Sequence, residues 1–81
     1  MRLDASSPIV GAVSVSPDDG NDLTRGVCRG VWVGSSGDLA VVTFTGDEVT
    51  YANVQDGSLI PCFISRVKST GTTASDILAL Y

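Results

Sequence analysis

Apolar residues along this chain fall at every second position or in short unbroken runs. No window shows the i, i+3, i+4, i+7 spacing of an amphipathic helix flanked by good helix formers. The pattern predicts strands. IVGAVSV (9–15) reads as a first strand, closed by SPDDGND (16–22), where Pro17, Asp18, Asp19 and Gly20 favour a turn. VCRGVWV (27–33) is a second strand, and the Gly-rich VGSSGDL predicts a hairpin reversal into LAVVTF (39–44). A tight turn at Gly46 and Asp47 leads to EVTYANV (48–54), and Gln55-Asp56-Gly57 leads to SLIPCFISRV (58–67). Pro61 lies inside this last run and cannot donate to a ladder, so it marks an edge position or a bulge. STGTTAS (69–75) is a loop before a terminal strand, DILALY (76–81). About six short strands with short turns predict an all-β fold, a small antiparallel β-sandwich or barrel. It forms one β domain over 9–81, preceded by a flexible N-terminal arm, 1–8.

The side-chain alternation has a consequence for assembly. In LAVVTF one face carries Leu39, Val41 and Thr43 and the other Ala40, Val42 and Phe44. In SLIPCFISRV, Leu59 and Phe63 fall on one side and Ile60, Cys62 and Ile64 on the other. A strand apolar on both faces needs cover on both. A chain of 81 residues buries only about 60–65 % of its unfolded surface, so its own core is thin. Self-association is the economical expectation; a closed barrel with a few exposed valines is the alternative. The arm, with Ile9 and Val10 just beyond Pro8, is placed to pair at the sheet edge of an adjacent subunit. Unchanged assembly on deletion of 1–8 would refute that role.

Composition narrows the function by exclusion. Nine acidic and five basic residues give a formal charge of −4, and the basic residues form no run, which argues against nucleic-acid binding. Charged residues make up only 17 % of the chain against 43 % hydrophobic, so part of its surface is expected to meet something other than water. No run approaches a membrane span or a signal peptide, and the expectation is a soluble protein made in the cytoplasm. Histidine is absent, which removes the usual general base and the commonest metal ligand. Cys28 and Cys62 stand 34 positions apart with no CxxC partner, and read as free buried thiols rather than a disulfide or a zinc site. Asp18, Asp19 and Asp22 resemble the start of a calcium loop, but Leu23 and Arg29 occupy the places that need Gly and Glu; an ordinary acidic turn fits better. Asp47 and Glu48 are neighbours on a strand and point to opposite faces, so they make no acid/base pair. The chain is not expected to be an enzyme or to hold a cofactor or metal. Trp32 and Tyr51 have no interleaved basic residues for stacking nucleotides and read as core or interface groups.

With these elements placed, RGVCRGVWVGSSGDLAVV followed by LIPCFISRVKSTGTTASDILALY resembles a known family. It is that of the small spike-base or capsid-surface proteins of gene transfer agents and related tailed phages of alphaproteobacteria. The likeness runs over about residues 9–81, through the turn segment SPDDGNDL, the Gly-Asp reversal into Ala-Val-Val, Leu-Ile-Pro, Arg-Val, Thr-Gly-Thr-Thr-Ala and a closing Ala-Leu-Tyr. It assigns no role to Cys28 or Cys62. What it implies is a structural virion protein, made in the host cytoplasm and mounted as a symmetric homo-oligomer on the capsid exterior, in contact with the major capsid protein. The expected role is a cement or decoration protein bridging capsomers, as a trimer. The alternatives are a pentameric base of a head spike at a vertex, and a receptor- or carbohydrate-binding module with Trp32, Tyr51 and Tyr81 as platforms. The residues expected at the oligomer or capsid interface are Ile9, Val10, Trp32, Phe63 and Tyr81.

Overall fold

A computed structural model describes residues 9–81; the expected arm, 1–8, lies outside the described residues. Seven strands follow in order: β1 (Ala12–Ser14), β2 (Gly30–Ser35), β3 (Gly37–Thr43), β4 (Glu48–Val54), β5 (Ser58–Ile60), β6 (Ile64–Val67) and β7 (Ser75–Leu80). They form two antiparallel sheets, one ordered β1-β7-β2-β5 and the other β4-β3-β6. The fold is the expected all-β sandwich.

Its core lies between the sheets. Val31, Val33, Ile77 and Ala79 come from the four-stranded sheet, and Leu39, Val41, Val54, Ile64 and Val67 from the three-stranded one, joined by Cys28 and Ala74. Alternation accounts for the selection: Val31 pairs with Ala79 and Val33 with Ile77, all facing inward, while the intervening Trp32 and Leu78 pair on the outer face.

Two expectations are corrected. The first is the hairpin expected at VGSSGDL. β2 pairs with β5 and β7, and β3 with β4 and β6, so the chain passes from one sheet to the other through Ser36. The crossing is fixed by close backbone approach at Gly37. Its φ is 152°, and a Cβ there would sit 2.5 Å from the Ala74 nitrogen, leaving no room for another residue. The neighbouring Ser36 N–H is held by Asp56 Oδ1 at 2.6 Å. Glycines that read as a reversal therefore serve a change of sheet. The second correction concerns 58–67, which is two strands rather than one. β5 joins the four-stranded sheet and β6 the three-stranded sheet, and Pro61 stands between them where no ladder donor is needed. This split raises the count from about six strands to seven.

The Gly46-Asp47 turn is where it was expected. Thr43 N–H donates to Asp47 O at 2.9 Å, Gly46 has φ 91°, and β3 and β4 pair on either side of it. The 68–74 loop folds back over β3 and covers Ala40, which is only 5 % exposed although it belongs to the outward set of its strand. There Thr72 Oγ accepts from Ala40 N–H at 3.0 Å and donates to Lys68 O. Thus one of the two apolar faces of β3 finds part of its cover within the chain itself.

Candidate interaction surfaces

Among the described residues, most of the exposed large apolar side chains gather in two places, with Ile9 and Val49 lying outside both. The first is a groove of about 440 Å³ lined by Val10, Arg25, Val27, Arg29, Phe44, Phe63 and Tyr81. Five separate segments bring the lining residues there, with Arg25, Val27 and Arg29 sharing the one that precedes β2. The Tyr81 backbone joins the start of the domain, since Val10 and Gly11 N–H both donate to its carbonyl and Tyr81 N–H donates to Gly11 O. Its hydroxyl donates to Gly26 O at 2.9 Å, and the Arg25 guanidinium stands over the ring, 5.1 Å from its centroid. Partial burial raises the Tyr81 phenol above its ordinary pKa against the opposing effect of Arg25, so the hydroxyl stays a donor at neutral pH. Phe44 leaves the end of β3 and Phe63 the start of β6, linked by Phe44 N–H to Phe63 O at 2.8 Å. Phe44 is 67 % exposed.

The second surface is the outer face of the four-stranded sheet. Leu59, Trp32, Leu78 and Ser14 stand in register across β5, β2, β7 and β1. Leu59 is 53 % exposed and Trp32 40 %, with the indole edge lying over Gly57, where an added Cβ would be 3.7 Å from the ring. Asp76 flanks this row, hydrogen-bonded by Ser35 Oγ at 2.8 Å.

Of the residues expected at an interface, the structure brings Val10, Phe63 and Tyr81 together in the groove and sets Trp32 apart on the sheet face. Ile9 is exposed beside Val10 but does not line the groove. Val27, Arg25 and Phe44 in the groove, and Leu59 and Leu78 on the face, were not singled out. Phe44 and Leu59 had been placed in the apolar sets of their strands, without a sign that those sets face outward.

The groups that resembled catalytic or metal-binding sets are occupied otherwise. Asp18 accepts from Gly20 N–H and Asn21 Nδ2, Asp19 from the Thr70 amide and hydroxyl, and Asp22 pairs with Arg66 at 2.9 Å. These bonds tie the 16–22 turn to the 68–74 loop and β6, and they hold the Asp18 and Asp19 carboxyls below their ordinary pKa. Cys28 and Cys62 are both free thiols; Cys28 is buried with its Sγ near Ile64 O, and burial pushes its pKa up, while Cys62 is only half-buried. The expectation of two buried thiols therefore holds for Cys28 alone, because Cys62 follows Pro61 in the link between sheets rather than lying within a strand.

No family model matches the sequence, and no curated protein matches it. Among solved structures, a chain described as "Capsid of native GTA particle computed with C5 symmetry" superimposes with a TM-score of 0.85 at 32 % identity, over 99 % of this chain and 92 % of that one. The chain belongs to the capsid-associated proteins of gene transfer agents. As a gene transfer agent capsid protein it has a structural virion role, and its two uncovered apolar surfaces are candidate sites of contact within a particle.

Proposed function

We propose that this protein is a cement piece on the capsid exterior, a homo-oligomer that bridges neighbouring capsid subunits. The observation that carries the reading is the pair of uncovered apolar surfaces, the Phe44–Phe63–Tyr81 groove and the Leu59–Trp32–Leu78 face, on a chain that belongs to a capsid family. Large apolar side chains exposed in clusters mark contact sites. A single weak contact to the shell becomes strong when an oligomer makes several at once, because each bound arm raises the effective concentration of the next. Since the oligomer binds the assembled shell and not its free subunits, it stabilises the shell by mass action.

A second reading, the base of a head spike at a vertex, draws on one observation: the particle holding the similar chain was computed with C5 symmetry. Native mass spectrometry of the purified protein over a dilution series separates the two. A stable trimer supports the cement piece, a pentamer moves the assignment to the vertex, and a monomer at every concentration refutes self-association in solution.

A further inference from the structure

The two sheets have four outer strands between them, β1, β5, β4 and β6, and three are guarded against further pairing. β1 and β5 are each only three residues long, and Pro61 follows β5 directly. The outer edge of β6 is taken by the segment after β1: Asp18 N–H donates to Val67 O and Leu23 N–H to Ser65 O, both at 2.9 Å. Short strands, proline and covering segments are common guards of a sheet edge. β4 has none of them. It is seven residues long, pairs with β3 alone and contains neither proline nor lysine. Its one charge, Glu48, is drawn to Lys68 at 2.6 Å. The bulge in its pairing lies beyond Tyr51, so the register from Glu48 to Tyr51 is regular.

The direction of its free backbone groups follows from the ladder. Thr43 N–H donates to Asp47 O at the turn, and bonded and unbonded pairs alternate along an antiparallel ladder. Val41 with Val49 and Leu39 with Tyr51 are therefore the bonded pairs. The amides and carbonyls of Glu48, Thr50 and Ala52 point away from β3, and among the described residues none bonds to them. Val49 and Tyr51 stand opposite the core residues Val41 and Leu39 and so face inward, yet Val49 is 40 % exposed. The core side of the sandwich is thus open along this edge.

We propose that β4 of one copy pairs with β4 of a second copy, antiparallel and with Thr50 opposite Thr50, joining the two three-stranded sheets edge to edge. This rests on the reading of the protein as a homo-oligomer and adds to it a twofold contact, which joins two copies or two oligomers side by side. A second copy fits this edge because the strand is complementary to itself. With Thr50 on the twofold axis, Glu48 of each copy meets Ala52 of the other, and every outward amide and carbonyl from Glu48 to Ala52 finds a partner. No other symmetric register engages all three residues. The same register sets Val49 opposite Tyr51 on the core side and threonine opposite threonine on the outer side, pairings that stabilise adjacent strands. It also keeps the two Glu48 residues about 13 Å apart along the strands.

Cross-linking tests the register. In a chain carrying Cys62→Ser, which removes the half-buried thiol, Thr50→Cys brings two thiols together across the axis at a Cα separation of about 5.5 Å, within reach of a disulfide. Ala52→Cys faces Glu48 instead, and leaves its thiol about 13 Å from its counterpart. On mild oxidation with diamide, Thr50→Cys should run as a linked dimer on a non-reducing gel and Ala52→Cys as a monomer. Thr50→Pro removes an amide that β3 does not use; it should still melt cooperatively and self-associate at least about tenfold more weakly in native mass spectrometry. If the natural chain associates but Thr50→Cys stays unlinked, or Ala52→Cys links as readily, or Thr50→Pro folds and associates as the natural chain does, the β4 pairing is wrong while self-association stands. If the natural chain is monomeric at every concentration, both fall.

Discussion

Asp19 illustrates how a single carboxylate fixes the geometry of this small domain. Both its oxygens are engaged by Thr70, one by the amide and one by the hydroxyl, which holds its carboxyl below the ordinary value near 3.8. Asp18 is lowered by Asn21 and Gly20, and Glu48, ordinarily near 4.5, by Lys68. A carboxyl whose folded pKa is depressed stabilises the fold above its unfolded pKa, and that stabilisation is lost as pH falls through the folded value. The melting temperature should therefore be level from pH 7 to about 5 and fall below about 4.5, as these three groups take up protons. Asp19→Asn should melt lower than the natural chain at pH 7, and the two curves should converge in acid, where Asp19 no longer carries its charge. Circular dichroism melts across that range check both statements; parallel curves would mean that Asp19 contributes nothing through its charge. From sequence, Asp18 and Asp19 were legible as turn residues because they flank Pro17 and Gly20. Their partner Thr70 was not, since the two residues lie 51 positions apart and no local pattern links them.

At the scale of elements, the sequence marked where strands lie better than which strands pair. Alternation put Leu39 and Val41 on one face and Phe44 on the other, and Ile64 opposite Leu59 and Phe63, the division the structure makes between core and surface, but with both faces apolar it did not mark which one turns inward. Pairing depends on partners distant in sequence. Gly34 and Gly37 around Ser35-Ser36 have the composition of a hairpin loop, yet the need at Gly37 is for space against Thr73 and Ala74, which come from the far end of the chain. Pro61 was legible as a break in the ladder but not as the point where the chain changes sheets. The 68–74 loop was legible as a loop and not as a lid on β3. Its lid role predicts a specific sensitivity. Thr72→Val keeps the shape of the side chain but removes the oxygen that accepts from Ala40 N–H, leaving a covered donor without its partner. The loss should be about 1–3 kcal/mol in urea unfolding, with Thr72→Ser close to the natural chain. A loss for Thr72→Ser with Thr72→Val close to the natural chain would assign the effect to methyl packing instead of the hydroxyl.

For the whole molecule, the absence of histidine and the dispersal of basic residues turned attention from chemistry to surfaces, and the two-faced apolar strands indicated that some surface awaits a partner. Where those surfaces converge was not legible. The groove assembles Val10, Val27, Phe44, Phe63 and Tyr81 from five separate segments, and only the sandwich topology brings them side by side. The cement role gives that arrangement a measurable consequence for the particle. A ligand that binds the assembled shell but not its free subunits adds stability that grows with its concentration, about 2.7 kcal/mol per site at one hundred times its dissociation constant. Adding the purified chain to capsids that lack it should raise the temperature at which the shells come apart, followed by light scattering, and the rise should grow with concentration well past the point of half occupancy. A piece confined to vertices touches few of the contacts between capsid subunits. It would bind and saturate while the bulk of the lattice melts where it did before. Bound chain with an unchanged shell transition would therefore move the protein from the cement role to the vertex, and a concentration-dependent rise would keep it among the pieces that hold capsid subunits together.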